Sequence, residues 1–197
     1  MNYLAHAYLS FGNAEILVGN MISDFVKGKK QFDYSVTVQK GIRLHRAIDT
    51  FTDQHPATKK GKEYFKTAVG PYSGAFMDVV YDHFLALDNN EFPEQRLEVF
   101  TKETYRQLFE HEAVLPEKFA RMLPYMSSQD WLLHYRFTDG IEKSFGGLVR
   151  RAQYLSESQP AFQLFLRHYD QLRKHYNEFF PDIKGFASSQ FDALLMQ

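Results

Sequence analysis

The chain contains no cysteine, which excludes disulfide frameworks, thiolate zinc sites and cysteine nucleophiles together. It has almost no strand signal, because β-branched alternation between Asn-Gly or Asp-Gly turns is nearly missing from its 197 residues. No apolar run approaches the roughly 20 residues that a membrane span needs. The opening Met1–Ser10 lacks the positive segment of a secretory signal, and His6 interrupts its apolar run. The cytoplasm is therefore the expected location, with no membrane partner. A formal net charge of −1 argues against a generally basic nucleic-acid binder. Charge is scarcest at the start: residues 1–26 carry only Glu15 and Asp24, plus His6.

What the chain has is helical periodicity and aromatics. Hydrophobic residues make up 44% and charged residues 24%, with 19 Phe and 12 Tyr, a composition that suits a thick aromatic core in a globular chain. Helices are expected over about 2–10, 14–27, 35–55, 57–68, 73–87, 93–110, 116–134, 138–155, 160–179 and 187–195. Gly12-Asn13, Gly28 and Gly70-Pro71 are breaks, and Pro93, Pro116, Pro160 and Pro181 sit where helices begin or end. The expectation is one compact all-α, multi-helix domain over residues 1–197.

Two of these helices interrupt an apolar stripe with imidazole and carboxylate. In Gly41–Asp53, His45, Asp49 and Asp53 recur at i, i+4 and i+8 and share one face. In Met77–Leu85, Asp78 and Asp82 lie about 40° apart around the axis, with His83 turned about 100° further. The stretch Asp78–Leu87 holds no Lys or Arg, so burying its carboxylates unpaired would cost several kcal/mol each. A bound cation is the simplest compensation. Asp24, near a helix C-terminus, opposes the helix dipole and also needs a partner. His6 supplies a further nitrogen donor. Bland readings stand beside these: Asp24 as a local cap, His45–Asp49 as a solvated i, i+4 pair, and His83 as a core histidine oriented by Asp82. Mixed nitrogen and oxygen ligation without thiolate suits manganese, iron(II), magnesium or zinc, and its carboxylate richness tilts toward manganese or magnesium. Such a centre performs metal-assisted hydrolysis; the spacing specifies no substrate.

Lys27, Lys29 and Lys30 follow Asp24, Arg43 and Arg46 flank His45, and Lys59, Lys60 and Lys62 follow the helix that holds His45 and Asp49. They are either snorkelled surface lysines and arginines or a basic rim for a phosphate and an acidic partner. Asp53 and then His55 rank below His45 and Asp49 as ligands. His111, His134, His168 and His175 show no matching carboxylate spacing. Trp131, Tyr135 and Arg136 are expected in core packing, with a pocket wall as the alternative.

The segments Met1–His6, Gly19-Asn20 with Ser23–Gly28, Gly41–Arg46 with Ile48-Asp49 and Thr52-Asp53, Asp78 with Tyr81–Phe84, and Trp131–Arg136 resemble the bacterial acyl carrier protein phosphodiesterases. That family is similar to distant members of the all-helical HD-type phosphohydrolases. The resemblance implies removal of 4′-phosphopantetheine from holo-acyl carrier protein, with manganese as the favoured metal and magnesium or iron(II) as alternatives. It implies His6, Asp24, His45, Asp49, Asp78, Asp82 and His83 as metal ligands, with Asp24, Asp82 and His83 catalytic. Lys27, Arg43 and Arg46 would hold the phosphoryl oxygens, and an acidic carrier protein would be the partner. Some relatives carry a second histidine where this chain has Tyr8, so position 8 receives no ligand role. Two other functions stay open: an HD-like phosphohydrolase acting on a nucleotide or small phosphodiester, and a non-catalytic helical module that binds a carrier protein.

Overall fold

Two helices cross with almost no side chain between them. A Cβ added at Gly19 would lie 2.1 Å from the Val38 carbonyl oxygen, and one at Gly41 would lie 2.3 Å from that of Ile16. Only glycine allows this approach, and it joins α2 (Ala14–Ile22) to α3 (Val36–Gln54). The computed structural model describes residues 1–196. Around this pair stand α1 (Tyr3–Tyr8), α4 (Pro56–Val69), α5 (Ser73–Ala86), α6 (Arg96–Glu110), α7 (Glu117–Ser128), α8 (Trp131–His134), α9 (Thr138–Arg151), α10 (Gln159–Arg167) and α11 (Tyr169–Leu195). Short 3-10 turns join several of them, and no strand occurs among the described residues. None of the described helices is long and apolar enough to cross a membrane. The all-α expectation holds.

α5 is the centre. From Phe76 to Ala86 every residue except Asp78 is buried, as a helix enclosed on all sides requires, and it packs against α1, α4, α9 and α11. The aromatics fill this core: Tyr81 stacks on Phe179 with centroids 4.4 Å apart, and Phe76 meets Phe145 at 4.6 Å.

Several boundaries differ from expectation; the helix expected over 160–179 divides at His168 into α10 and α11. α2 stops at Ile22 and passes into a 3-10 turn at Ser23–Phe25 instead of running on to 27. The segment expected as one helix over 116–134 divides at Asp130, whose φ of 42° is left-handed and whose side chain caps α8 at the Leu133 amide. Pro181 ends nothing. α11 runs through it, because Phe179, Phe180, Ile183 and Ala187 are buried on either side, and that packing outweighs a helix-interior proline cost of about 3 kcal/mol.

Candidate metal centre

The site is assembled where α1, α2 and α3 meet. α2 ends at Ile22, so its last carbonyls lack helical partners. One of these, Asn20 O, accepts a hydrogen bond from His45 Nδ1–H at 2.7 Å. The Asn20 side chain does the same for the other imidazole. Its Nδ2 donates to His6 O at 2.8 Å and to Ser10 Oγ at 3.1 Å, so its Oδ1 must accept, and His6 Nδ1–H donates to it at 2.8 Å. Both rings are therefore held through Nδ1–H, which leaves Nε2 as the atom that would carry the lone pair in a metal-ligating histidine. They stack with centroids 3.9 Å apart and planes 17° from parallel.

Both Nε2 atoms lie close to the same carboxylate. Asp49 Oδ1 lies 3.2 Å from His6 Nε2, and Oδ2 lies 3.1 Å from His45 Nε2. Asp24 Oδ1, on the turn after α2, approaches His45 Nε2 at 3.3 Å. Yet His45 Nε2, fully buried, has no aligned hydrogen bond. It is close to two carboxylates and directed at neither, which is how a nitrogen aimed at a shared point stands. Ligand atoms of His6, His45 and Asp49 all fall within 4.8 Å of one another, so one cation can meet all three.

The electrostatics are those of a site built around positive charge. Burial, then the neighbouring His45, pushes His6 down to about 4 despite Asp49. Burial also disfavours charge on His45, but Asp24 and Asp49 outweigh it and raise it to about 9. Asp49 is held far below the usual carboxylate range, with His45 and His6 overcoming its burial. The neighbouring His45 likewise lowers Asp24 against its burial.

α5 contributes less uniformly. The Met1 α-amino group lies 3.0 Å from Asp78 Oδ1 and 3.4 Å from Asp49 Oδ1, linking Asp78 to the cluster. Burial alone would lower this amine, and the two carboxylates raise it to about 10. Asp82 is completely buried and its oxygens are engaged by backbone: Leu4 N–H at 2.7 Å, and Asn2 and Ala5 N–H at 3.3 Å each. It caps the start of α1 from another helix. Burial pushes Asp82 up to about 7 against the amine and these three amides. His83, a quarter-turn round the same helix, leaves the cluster altogether. Its Nδ1–H donates to Tyr135 O at 2.6 Å, and its Nε2 accepts from Tyr169 O–H at 2.8 Å. The expected convergence of His83 with Asp82 does not occur, since 100° of helix rotation faces them to different neighbours.

The cluster opens into a depression of about 480 Å³ lined by Asp24, Lys27, His45, Arg46 and Asp49. Arg46 is braced by Gln31 Oε1 at 2.9 Å and Val26 O at 3.3 Å. Arg43 does not line it: two residues before His45, it points about 200° away around α3. Asp53 is exposed and pairs with Lys62 at 2.5 Å, while His55 caps α4 at Ala57 N and meets Asp182 at 3.2 Å. Trp131 and Tyr135 line a separate cavity, and Arg136 pairs with Glu98 at 3.6 Å. Asn20 is the residue that sequence reasoning left without a role. Its signal was a lone amide in the apolar run Ile16–Ile22, fully buried in α2.

A family model described as acyl carrier protein phosphodiesterase matches residues 1–183. The chain is 32% identical over 182 residues to an acyl carrier protein phosphodiesterase of Photorhabdus laumondii, covering 92% of each chain. It is 31% identical over 191 residues to that of Klebsiella pneumoniae, covering 96% of this chain and 99% of the relative. An Escherichia coli protein of the same name is 30% identical over 189 residues, covering 95% and 98%. No solved structure matches the chain.

Proposed function

The chain belongs to the acyl carrier protein phosphodiesterase family, and from that premise we propose that it hydrolyses holo-acyl carrier protein at a divalent metal held by His6, His45 and Asp49, with Asp24 at its open side. The observation that carries this reading is the pair of stacked imidazoles, each fixed at Nδ1 by Asn20 and each turning Nε2 to Asp49. Manganese suits this nitrogen and carboxylate set, with magnesium or iron(II) as alternatives. Such an ion lowers the pKa of a bound water and stabilises charge on phosphoryl oxygens.

The chain's own residues supply the rest. Lys27 and Arg46, on the wall of the depression, hold the non-bridging oxygens of the phosphodiester. Asp24, ionised and largely exposed at the mouth, takes the proton of the attacking water. The water oxygen bonds to phosphorus, the bond from phosphorus to the serine oxygen breaks, and that oxygen takes up a proton. The products are the apo-protein and 4′-phosphopantetheine. Asp78 borders the site through the Met1 amine. Asp82 and His83 act as positioning residues: Asp82 fixes the turn that carries His6, and His83 ties α5 to Tyr135 and Tyr169. Lys27 and Arg46 on the wall of the depression face an acidic carrier protein, a substrate of cytoplasmic lipid metabolism.

The test is a mass spectrum of holo-acyl carrier protein after incubation with the purified chain, with Mn²⁺ and with chelator. Manganese-dependent loss of the phosphopantetheine mass is expected. An unchanged mass with a folded, metal-loaded chain rejects this substrate, and a panel of nucleotides and small phosphodiesters becomes the next measurement.

A further inference from the structure

A second cavity, of about 670 Å³, opens between the first residues of the chain and α7, α8 and α9. The chemistry at the metal centre leaves it unused. Trp131, Tyr135 and Met122 give it apolar walls, Asn2, Gln129 and Ser144 set hydrogen-bonding groups among them, and Lys143, Arg150 and Arg151 add cations to its lining. α9 meets it with Gly146 and Gly147. A Cβ at Gly147 would meet only the Arg150 guanidinium, at 3.7 Å, so the groove is open where a side chain would otherwise stand.

α1 links this cavity to the metal centre, with Tyr3 on the cavity wall and His6 one turn later in the cluster. Tyr3 lines the cavity together with Arg151. Met122 lies one turn after Phe119, whose ring meets Phe25, next to Asp24, at 5.4 Å. Asn2, on the cavity wall, donates its backbone N–H to Asp82 at the foot of α1, the helix that carries His6.

We propose that this cavity binds the pantetheine arm of the substrate while the carrier protein body rests on the Lys27 and Arg46 side. The inference rests on the phosphodiesterase reading above. The match is chemical. The arm is a flexible uncharged chain with two amides and a thiol end; it needs apolar walls punctuated by a few polar groups, and a volume in the range of roughly 300–1,000 Å³ usual for such ligands. Its one charged end, the phosphate, then falls at the metal centre, on the Lys27 and Arg46 side. Binding energy gathered along a non-reacting arm is what aligns the phosphodiester for attack.

Trp131 is the only tryptophan in the chain and stands on the cavity wall, so its fluorescence reports from there. Titration of the full chain with pantetheine is expected to change that emission saturably, and AMP at the same concentration is not. Gly147→Leu fills the cavity from α9. It is expected to abolish the response and to slow hydrolysis of holo-carrier protein at least about tenfold, mainly through KM, while Mn²⁺ affinity stays at its wild-type value. Gly146→Leu, whose Cβ meets only the tips of Arg150 and Ser158, fills the same space if the first variant does not fold. A silent Trp131 at saturating pantetheine, a response to AMP instead, or wild-type turnover in either filled variant overturns the proposal. A saturable response in a chain that leaves holo-carrier protein intact rejects the phosphodiesterase reading and retains the cavity.

Discussion

The imidazoles of His6 and His45 lie face to face, 3.9 Å between centroids, and Asp49 spans the edge of the stack with one oxygen toward each Nε2. Two protonated rings cannot stack at that distance without strong repulsion. The site accordingly splits them, with His6 lowered to about 4 and His45 raised to about 9. One positive charge is accommodated between the rings and the carboxylates, and the proton on His45 and a metal ion are competitors for that place. Asp49→Asn keeps the shape and removes the shared anion. It is expected to lower kcat at least about a hundredfold with an unchanged helical circular dichroism spectrum; full activity would remove Asp49 from the site.

Asn20→Ala deletes the acceptor of His6 Nδ1–H but leaves the backbone carbonyl that holds His45. Loss of such an orienting partner costs about 10- to 100-fold in metal affinity. Calorimetric titration with Mn²⁺ measures it, and unaltered affinity would show that the His6 ring is held by packing alone.

Asp82→Ala leaves three amides at the start of α1, those of Leu4 and Ala5 buried, without an acceptor. An expected loss of about 1–3 kcal/mol would be seen as a lower urea midpoint. His45→Ala lies outside this cap and is expected to remove turnover with a smaller change in midpoint. Equal midpoints for the two variants would contradict the positioning role given to Asp82.

Gly19→Ala drives a methyl group into the Val38 carbonyl at 2.1 Å. The helices must part, at a cost of about 1–3 kcal/mol or more, and Asn20 moves away from His45. Metal binding and Tm are expected to fall together. A variant with wild-type Mn²⁺ affinity would show that the α2–α3 contact does not set the site.

His83 is buried and donates from Nδ1 while accepting at Nε2, so it must be neutral. Burial, with Arg173 adding to it and the Tyr135 carbonyl opposing, lowers it to about 4. A histidine depressed in the folded state contributes stability that is complete above its unfolded pKa near 6.5 and is lost as pH falls toward 4. Wild type is therefore expected to lose up to about 3 kcal/mol more than His83→Gln over that interval. Urea denaturation of both at pH 7 and pH 4.5 measures the difference; parallel losses would show that His83 does not titrate between them.

Much of this was legible in the chain. Helical periodicity, the shortage of strand signals and the absence of cysteine fix an all-α fold with thiol-free chemistry, because 3.6-residue spacing acts locally. The i, i+4 spacing of His45 and Asp49 put them on one face whatever that face met. Local spacing could not say which neighbour each face would meet. Gly19 and Gly41 let α2 and α3 approach to backbone contact, and the end of α2 at Ile22 freed the Asn20 carbonyl for His45. Those two events brought Asn20 into the site and His6 over His45. The same helix rotation that separates Asp82 from His83 turned one to the amides of α1 and the other to Tyr135 and Tyr169, and it turned Arg43 away from the depression that Arg46 lines. The sequence determined which groups could share a helix face; the packing of one helix end against another decided which of them share a site, because a side chain's partner is set by the element it meets and not by its place in the chain.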